Sequence, residues 1–509
     1  MLSIFDQGPP PPCPAPFNLA AHVLGKASTL GDKTALSVLS ADSSDDWSFA
    51  PLEAAVRGTG AGLLQAGLTP GDIVLMRLGN SVEFPIAYLG AIAAGIVPVP
   101  TSSQLTEDEV AAMVADLSPA AILRDPGVAG VPPSQNGPRE IGLDQLTSMR
   151  DLPPCAYDMG DPDRLAYIIY TSGTSGSPRA VMHAHRAIWA RQMMIDSWYE
   201  LTEADRLLHA GAFNWTYTLG TGLMDPWTMG ATALIPEPGT DLAALPDRLR
   251  SSRATIVAAA PGVYRKILSA HDRIDLPDLR HGLTAGEKLS EPLRQAWAEA
   301  SGTRLYEAYG MSECSTFISS CPSDPAPAGA LGTPQKGRRI AILGDDGPVE
   351  QGAPGTIAVH RDDPGLMLGY LGQPEDTAAR FRGDWFLTGD QGVMDPAGHI
   401  SYLGRDDDMM NAGGYRVSPM EVEAALSHFP GLTHVAATEI EVKADARIIV
   451  AFYTAPEPLD EAELKAFAAQ HLARYKQPRA YVRLDALPTG ANGKVQRRAL
   501  KPLYPRKSA

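Results

Sequence analysis

Residues 165–179 join a run of apolar side chains to a cluster of small polar ones. Tyr167-Ile168-Ile169-Tyr170 runs straight into Thr171-Ser172-Gly173-Thr174-Ser175-Gly176-Ser177-Pro178-Arg179. The glycines let the backbone curl so that successive N–H groups face an anion. Four of the five residues from Thr171 to Ser175 carry hydroxyls, which are neutral donors to phosphate oxygens. Arg179 adds a fixed positive charge. The order is not G-x-x-x-x-G-K-[ST], so this is not a Walker A loop. A Ser/Gly-rich turn is the plain alternative, but the apolar strand in front and the ordered spacing favour phosphate binding.

Such a loop needs a frame that fixes its two ends. Asp72-Ile73-Val74-Leu75-Met76-Arg77 reads as a strand, Ser81 to Gly95 as a buried helix and Ile96-Val97-Pro98-Val99 as the next strand. Thr106-Glu107-Asp108-Glu109 supplies an N-cap and first-turn acids for a helix to Leu117. Ala120 to Leu123, Leu165 to Tyr170, Ala231 to Ile235 and Thr255 to Ala259 read as strands. Ala260 to Ala270 and Ser290 to Ala300 read as helices. This alternation predicts an α/β fold with parallel-rich sheets covered by helices.

After about Arg338 the pattern changes. Short β-runs (Arg339 to Leu343, Thr356 to His360, His399 to Leu403) between Gly/Pro turns predict a small β subdomain. Beyond Gly404-Arg405-Asp406-Asp407-Asp408 come a helix (Ser418 to Phe429), two strands (His434 to Val442, Arg447 to Tyr453) and a helix (Asp460 to Leu472). That is a smaller α+β domain with its boundary near Asp407, dividing the chain into 1–406 and 407–509. The Pro-rich start, Pro9 to Pro16, is expected to be loosely held.

Tyr170 to Arg179 resembles the signature of adenylate-forming enzymes: acyl-CoA synthetases, peptide-synthetase adenylation domains and firefly-type luciferases. The family usually has Lys-Gly where this chain has Arg179-Ala180. Further matches follow in order. Tyr306-Glu307-Ala308-Tyr309-Gly310-Met311-Ser312-Glu313 resembles Y-G-x-[ST]-E, and Gly286-Glu287-Lys288 resembles the wall of the adenine pocket. Trp385-Phe386-Leu387-Thr388-Gly389-Asp390 carries a T-G-D. Gly404 to Asp408 with Asn411 to Val417 resembles G-R-x-D-D…G-[YH]-R-[IV]. Pro488 to Arg498 resembles P-x-[ST]-x-x-G-K-[IV]-x-R-[RK], with Gly490 and Asn492 departing slightly. The resemblance spans about residues 17 to 500.

The resemblance implies a large N-terminal AMP-binding domain and a mobile C-terminal domain that carries the catalytic lysine, Lys494. Thr171, Glu313 and Lys494 would act in catalysis, with Glu313 as the Mg²⁺ ligand. ATP or AMP would meet Thr171, Ser172, Gly173, Thr174, Ser175, Gly176, Arg179, Gly286, Glu287, Lys288, Glu307, Ala308, Tyr309, Gly310, Met311, Ser312, Asp390, Arg405 and Lys494. Asp407 would be the hinge, Gly413, Gly414 and Tyr415 the coenzyme A tunnel, and Phe213 and Trp215 part of the acyl pocket. The stretch from Phe213 to Trp227 looks most like medium-chain and aryl acyl-CoA synthetases. The expected activity is ATP-dependent ligation of such an acid to coenzyme A through an acyl-adenylate. A stand-alone enzyme that loads a carrier protein is the alternative, and a non-catalytic ATP-binding member is the third reading. The usual histidine near Phe213-Asn214-Trp215 is missing, so no catalytic histidine is assigned.

Composition narrows the rest. The 509 residues are 44% hydrophobic and 20% charged, the balance of a folded globular protein. A net charge of −16 argues against nucleic-acid binding. No apolar run is long enough to cross a bilayer and no signal peptide is visible, which predicts a cytoplasmic protein without stable membrane insertion. The four cysteines form no CxxC, so no zinc framework is expected. His183 and His185 alternate on a strand but lack further ligands, and Cys314 and Cys321 read as packing residues. Lys476, Arg479, Arg497, Arg498 and Lys501 could meet the phosphates of coenzyme A or form a solvated face. The expected partners are a small carboxylic acid and, as a homodimer, a second copy of the chain.

Overall fold

The computed structural model describes residues 1–130, 137–171, 179–214, 216–412, 415–443, 446–474, 476–490 and 495–505. The chain divides into two compact units. The larger comprises Phe5–Arg339 and His360–Phe386; the smaller comprises Met1–Ile4, Ile340–Val359 and Leu387–Ala509.

The larger unit is α/β. Its nine-stranded sheet runs in the order Thr333–Pro334, Ser315–Ser319, Leu305–Met311, His281–Ala285, Ile256–Ala258, Arg206–His209, Thr232–Pro236, Thr34–Leu39, Ser44–Ser48. The stretch from Leu305–Met311 to Thr34–Leu39 is parallel throughout. These strands read as near-continuous apolar runs, as expected where both faces are covered. A parallel four-stranded sheet has the order Val97–Pro100, Ile73–Arg77, Ala121–Arg124, Arg139–Gly142.

Helix Glu83–Ala93 is buried nearly all round because only Glu83 among its eleven residues is charged. It shares a core with helix Phe49–Gln65, including Phe49, Val56, Phe84 and Ile92. That second helix and the strands Thr34–Leu39 and Ser44–Ser48 were not anticipated from the sequence. The helix Glu107–Leu117 starts as expected, with Thr106 and Glu109 forming a reciprocal capping box.

The Pro-rich start is better held than expected. The Trp189 indole donates to the Pro11 carbonyl at 2.9 Å, and Phe17 N–H donates to Gly160 O at 2.7 Å. Proline lacks an N–H but keeps its carbonyl, so such a segment can still be anchored as an acceptor.

Ile340–Gly344, Pro354–His360, Trp385–Met394 and Ile400–Arg405, most of whose residues belong to the smaller unit, build one sheet, with Ile4–Phe5 on its outer edge. The unit also holds the α+β part read from the sequence. His434–Lys443, Ala446–Thr454 and Ala480–Arg483 form a sheet, with helices Pro419–Leu426 and Glu461–His471. Val422, Leu426, Ile449, Ala451, Ala468 and Leu472 share its core.

Candidate active site

In an open parallel sheet, ligands bind beyond the carboxyl ends of the strands, where the loops diverge. Here the strand His281–Ala285 runs into Gly286, whose φ of +92 only glycine adopts freely. Its neighbour Leu305–Met311 leads into Ser312 and Glu313. Residues 305–308 are buried, whereas 309–313 are partly accessible. The switch comes at a bulge between Tyr309 and Gly310, where the pairing with Ser315–Ser319 shifts register. A Cβ on Gly310 would lie 2.1 Å from Ser315 O, so only glycine fits at that crossing.

Glu307 is buried beneath this edge. Its Oε1 accepts from Leu289 N–H at 2.8 Å, and Oε2 lies 3.5 Å from Arg294 Nη2. Burial raises its pKa to about 7. Oε1 holds the turn after Gly286 and Oε2 pairs with the helix Glu291–Ser301, so the side chain positions the edge. Glu287 pairs with Arg265 at 3.6 Å. The Tyr309 ring packs edge-on to Phe317, centroids 5.2 Å apart.

The strand Leu165–Thr171 pairs antiparallel with Arg179–Ala184, and the register sets Thr171 opposite Arg179. The two ends of the expected phosphate loop are therefore clamped together. Ser172, Gly173, Thr174, Ser175 and Gly176 lie outside the described residues. Arg179 ion-pairs with Asp376 at 3.0 Å, and its guanidinium sits 4.9 Å from the Tyr370 ring centroid. Tyr370 in turn donates its hydroxyl to Glu313 Oε1 at 2.8 Å. Burial, then the Glu313 charge, pushes the Tyr370 phenol up to about 12, so it remains a donor. Arg179 and Glu313, far apart in sequence, are thus joined through one phenol.

Phe213 is fully buried, its ring 5.7 Å from Phe84, and its N–H donates to Asn80 Oδ1 at 2.8 Å. Trp215 lies outside the described residues. Sequence reasoning missed the charged pair behind this region. Arg191 Nε and Nη2 donate to the two oxygens of Asp225 at 2.8 and 2.7 Å. Tyr199 donates to Asp225 Oδ2 at 2.7 Å, and Arg191 also reaches Thr221 and Ser315. The backbone from Thr218 to Met224 is a π-helix, which brings Thr221 and Asp225 to the same guanidinium. Burial opposes the charge on Arg191, but Asp225 outweighs it and holds the guanidinium protonated. The available signal was an arginine and an aspartate set in the apolar runs Ala187–Ala190 and Leu223–Trp227.

In the smaller unit, Asp390 and Arg405 face each other across the hairpin of Trp385–Met394 and Ile400–Arg405. Arg405 Nε lies 3.4 Å from Asp390 Oδ1, and Tyr402 donates to the same oxygen at 3.3 Å. Gly389 and Gly404 have φ of +77 and +122, so the T-G-D turn and the chain before Arg405 both use glycine's freedom. Asp407 sits in the short 3-10 turn Asp406–Asp408. Gly413, Gly414 and Lys494 lie outside the described residues, and Tyr415 opens the strand Tyr415–Val417. Thr489 and Val495 form a bridge, so the chain enters and leaves the Lys494 segment at one place. Arg497 makes a bidentate contact with Glu423, at 2.9 and 2.7 Å from Nη2, and lies 3.5 Å from Asp408. Lys476 pairs with Glu421.

A family model described as AMP-binding enzyme matches residues 25–371, and one described as AMP-binding enzyme C-terminal domain matches residues 421–494. The chain belongs to the AMP-binding enzyme family. Benzoate–CoA ligase of Thauera aromatica is 29% identical over 98% of this chain and 99% of its own. ATP-bound MatB from Rhodopseudomonas palustris superposes with a TM-score of 0.84 at 26% identity, over 96% and 98% of the two chains. A benzoate CoA ligase from Burkholderia xenovorans LB400 gives 0.82 at 26% identity, over 95% and 100%.

No group of three or more His, Cys, Asp or Glu that could hold a metal occurs among the described residues. Mg²⁺ takes most of its oxygens from substrate phosphates and water and needs only one or two carboxylates. Glu313, with Oε1 already on Tyr370, fits a single-carboxylate site of that kind. His183 and His185 are occupied differently: His183 Nε2 lies 2.7 Å from Ser312 O, and His185 Nδ1 accepts from Leu19 N–H at 3.0 Å. All four cysteines are free, and Cys314 and Cys321 are buried. Among the described residues no helix is long and apolar enough to cross a membrane.

Proposed function

We propose that this protein is an ATP-dependent carboxylate–CoA ligase acting on a medium-chain or aromatic acid. The observation that carries the reading is the edge formed by Tyr309 to Glu313, coupled through Tyr370 to Arg179 at the foot of the phosphate loop. The family match across both parts of the chain supports it, as does the benzoate–CoA ligase relative.

The acid's carboxylate oxygen attacks the α-phosphorus of ATP. The bond from that phosphorus to the bridging oxygen breaks, and pyrophosphate leaves. Both reactants are anions, so positive charge and oriented donors must offset their repulsion. Arg179, the Thr171 to Gly176 loop and Lys494 supply these, each such group being worth about 2.7–4 kcal/mol. Glu313 would hold Mg²⁺, whose charge would lower the same repulsion. Tyr309 and the Gly286 to Lys288 wall receive the adenine, Ser312 a phosphate oxygen, and Asp390 with Arg405 the ribose. A thiol sulfur then attacks the acyl carbon, AMP departs, and the thiol proton passes to solvent.

The boundary at Asp407 serves as the hinge between the two half-reactions, with Gly413, Gly414 and Tyr415 beside the thiol path. Coenzyme A is the acceptor, and the protein works in the cytoplasm as a homodimer. Arg497 is held by Glu423 and Asp408, and Lys476 by Glu421.

The test is ATP–pyrophosphate exchange over a panel of acids, then thioester formation with coenzyme A against a pantetheine-bearing carrier protein. Acid-dependent exchange with thioester on free coenzyme A is expected; product on the carrier alone supports the rival reading, and no exchange defeats both. Lys494→Ala should abolish exchange while a supplied acyl-adenylate still reacts with the thiol. Asp407→Pro should keep exchange and lose the thioester step, because proline fixes φ and removes an N–H.

A further inference from the structure

A small cavity of about 20 Å³ lies inside the larger unit, lined by Tyr88, Tyr167, His183, Arg191, Ser312 and Ser315 among others. That is room for one water-sized group. Ser312 belongs to the Tyr309–Glu313 edge, so the cavity adjoins the region where the acyl group must be activated.

The hydrogen bonding of the wall determines what the cavity accepts. His183 Nε2 lies 2.7 Å from the Ser312 carbonyl, which can only accept, so Nε2 carries the proton. Burial lowers the His183 pKa to about 4, and the ring is neutral at pH 7. Nδ1 is therefore a lone-pair acceptor. It is fully buried and has no hydrogen-bond partner among the described residues. The ring cannot turn freely to find one, being stacked on Tyr167 at 4.9 Å and 16°.

Arg191 lines the same cavity and is fixed in place. Asp225 takes Nε and Nη2, Ser315 takes one N–H of Nη1, and a Cβ on Gly220 would lie 2.2 Å from its Cζ. The guanidinium is thus pressed against a glycine, with the second N–H of Nη1 left over among the described residues. Its charge is already offset by Asp225, so the cavity holds no net positive charge to attract a carboxylate. The bare Nδ1 lone pair would repel one. A hydroxyl suits both walls, because it donates to Nδ1 and accepts from Nη1.

We infer that His183 and Arg191 read a single hydroxyl on the acyl substrate, making the preferred acid a hydroxylated one. This rests on the ligase reading above. An unsubstituted acid leaves a buried acceptor unpaired, the situation in which binding sites discriminate most strongly.

The experiment compares kcat/KM for benzoate with the ortho, meta and para isomers of hydroxybenzoate, and hexanoate with its terminally hydroxylated counterpart. One hydroxylated acid should exceed its parent by about tenfold or more. In His183→Phe, which keeps the ring stacked on Tyr167, that ratio should fall to near one through loss on the hydroxylated acid. The wild-type comparison stands alone if the variant does not fold. Turnover of the parent acids with no gain from any hydroxyl overturns the inference and leaves the cavity as the seat of a resident water only. A ratio unchanged in a folded His183→Phe overturns the role of His183. Absence of AMP from every acid sinks the ligase reading and this inference together.

Discussion

Each unit of the molecule contains an arginine, an aspartate and a tyrosine that meet at one carboxylate, and the two clusters are built to different tolerances. In the larger unit, Arg191, Asp225 and Tyr199 sit at 2.7–2.8 Å, with the arginine bidentate and all three buried. In the smaller unit, Arg405 and Tyr402 lie 3.4 and 3.3 Å from one oxygen of Asp390, and the Arg405 side chain is 30% exposed. The buried, bidentate pair is held at short distance by its own partners. The second cluster is longer and its arginine reaches solvent, and catalytic contacts are commonly long before substrate arrives. The same three residue types are thus set tightly in one unit and more openly in the other, in keeping with the ribose contact proposed above for the second.

The comparison breaks first on Asp225→Asn. It leaves the Arg191 charge buried without its counter-ion and should cost about 3–5 kcal/mol of stability, read by denaturant unfolding. Asp390→Asn should do the opposite. Its thermal midpoint should stay close to wild type, while pyrophosphate exchange falls through a higher KM for ATP, an effect of about 1.5–3 kcal/mol for a lost charged hydrogen bond. Equal thermal losses in the two variants would erase the distinction. The tyrosines sharpen it on a smaller scale. Tyr199→Phe removes a donor from a buried carboxylate and should cost about 1–3 kcal/mol of stability. Tyr402→Phe should shift the ATP KM by no more than a few-fold, with stability unchanged within about 1 kcal/mol.

Much of the frame could be read from the chain. Strands such as Ile73–Arg77 and Leu165–Thr171 are short apolar runs between polar turns, and the capping box at Thr106 and Glu109 announces its helix. The Thr171 and Arg179 clamp and the Asp390 and Arg405 pairing follow from hairpins whose arms are close in sequence. What could not be read depends on distant partners. Arg191 and Asp225 meet only because a π-helix re-aims the intervening backbone. Tyr370 reaches both Glu313 and Arg179 from a short strand paired with Arg179–Ala184, which nothing local in its sequence signals. Glu307, expected at the nucleotide, has its carboxylate bonded to Leu289 and Arg294, because an acid on a buried strand must first satisfy itself.

The beginning of the chain has a consequence for how the molecule is made. Ser3 is fully buried; its N–H donates to Val349 O at 2.7 Å, and its carbonyl accepts from Ile342 N–H at 3.0 Å. Ribosomes add about 5–20 residues per second. The opening residues must therefore wait tens of seconds after synthesis before the strand they border has been made. During that interval these residues stay without the strand they border in the folded protein. A fragment starting at Ile340 would emerge with the edge of its sheet uncovered, and open edges invite intermolecular pairing. Expressed alone it should aggregate, and a short peptide spanning Met1 to Phe5, supplied in trans, should restore it to solution.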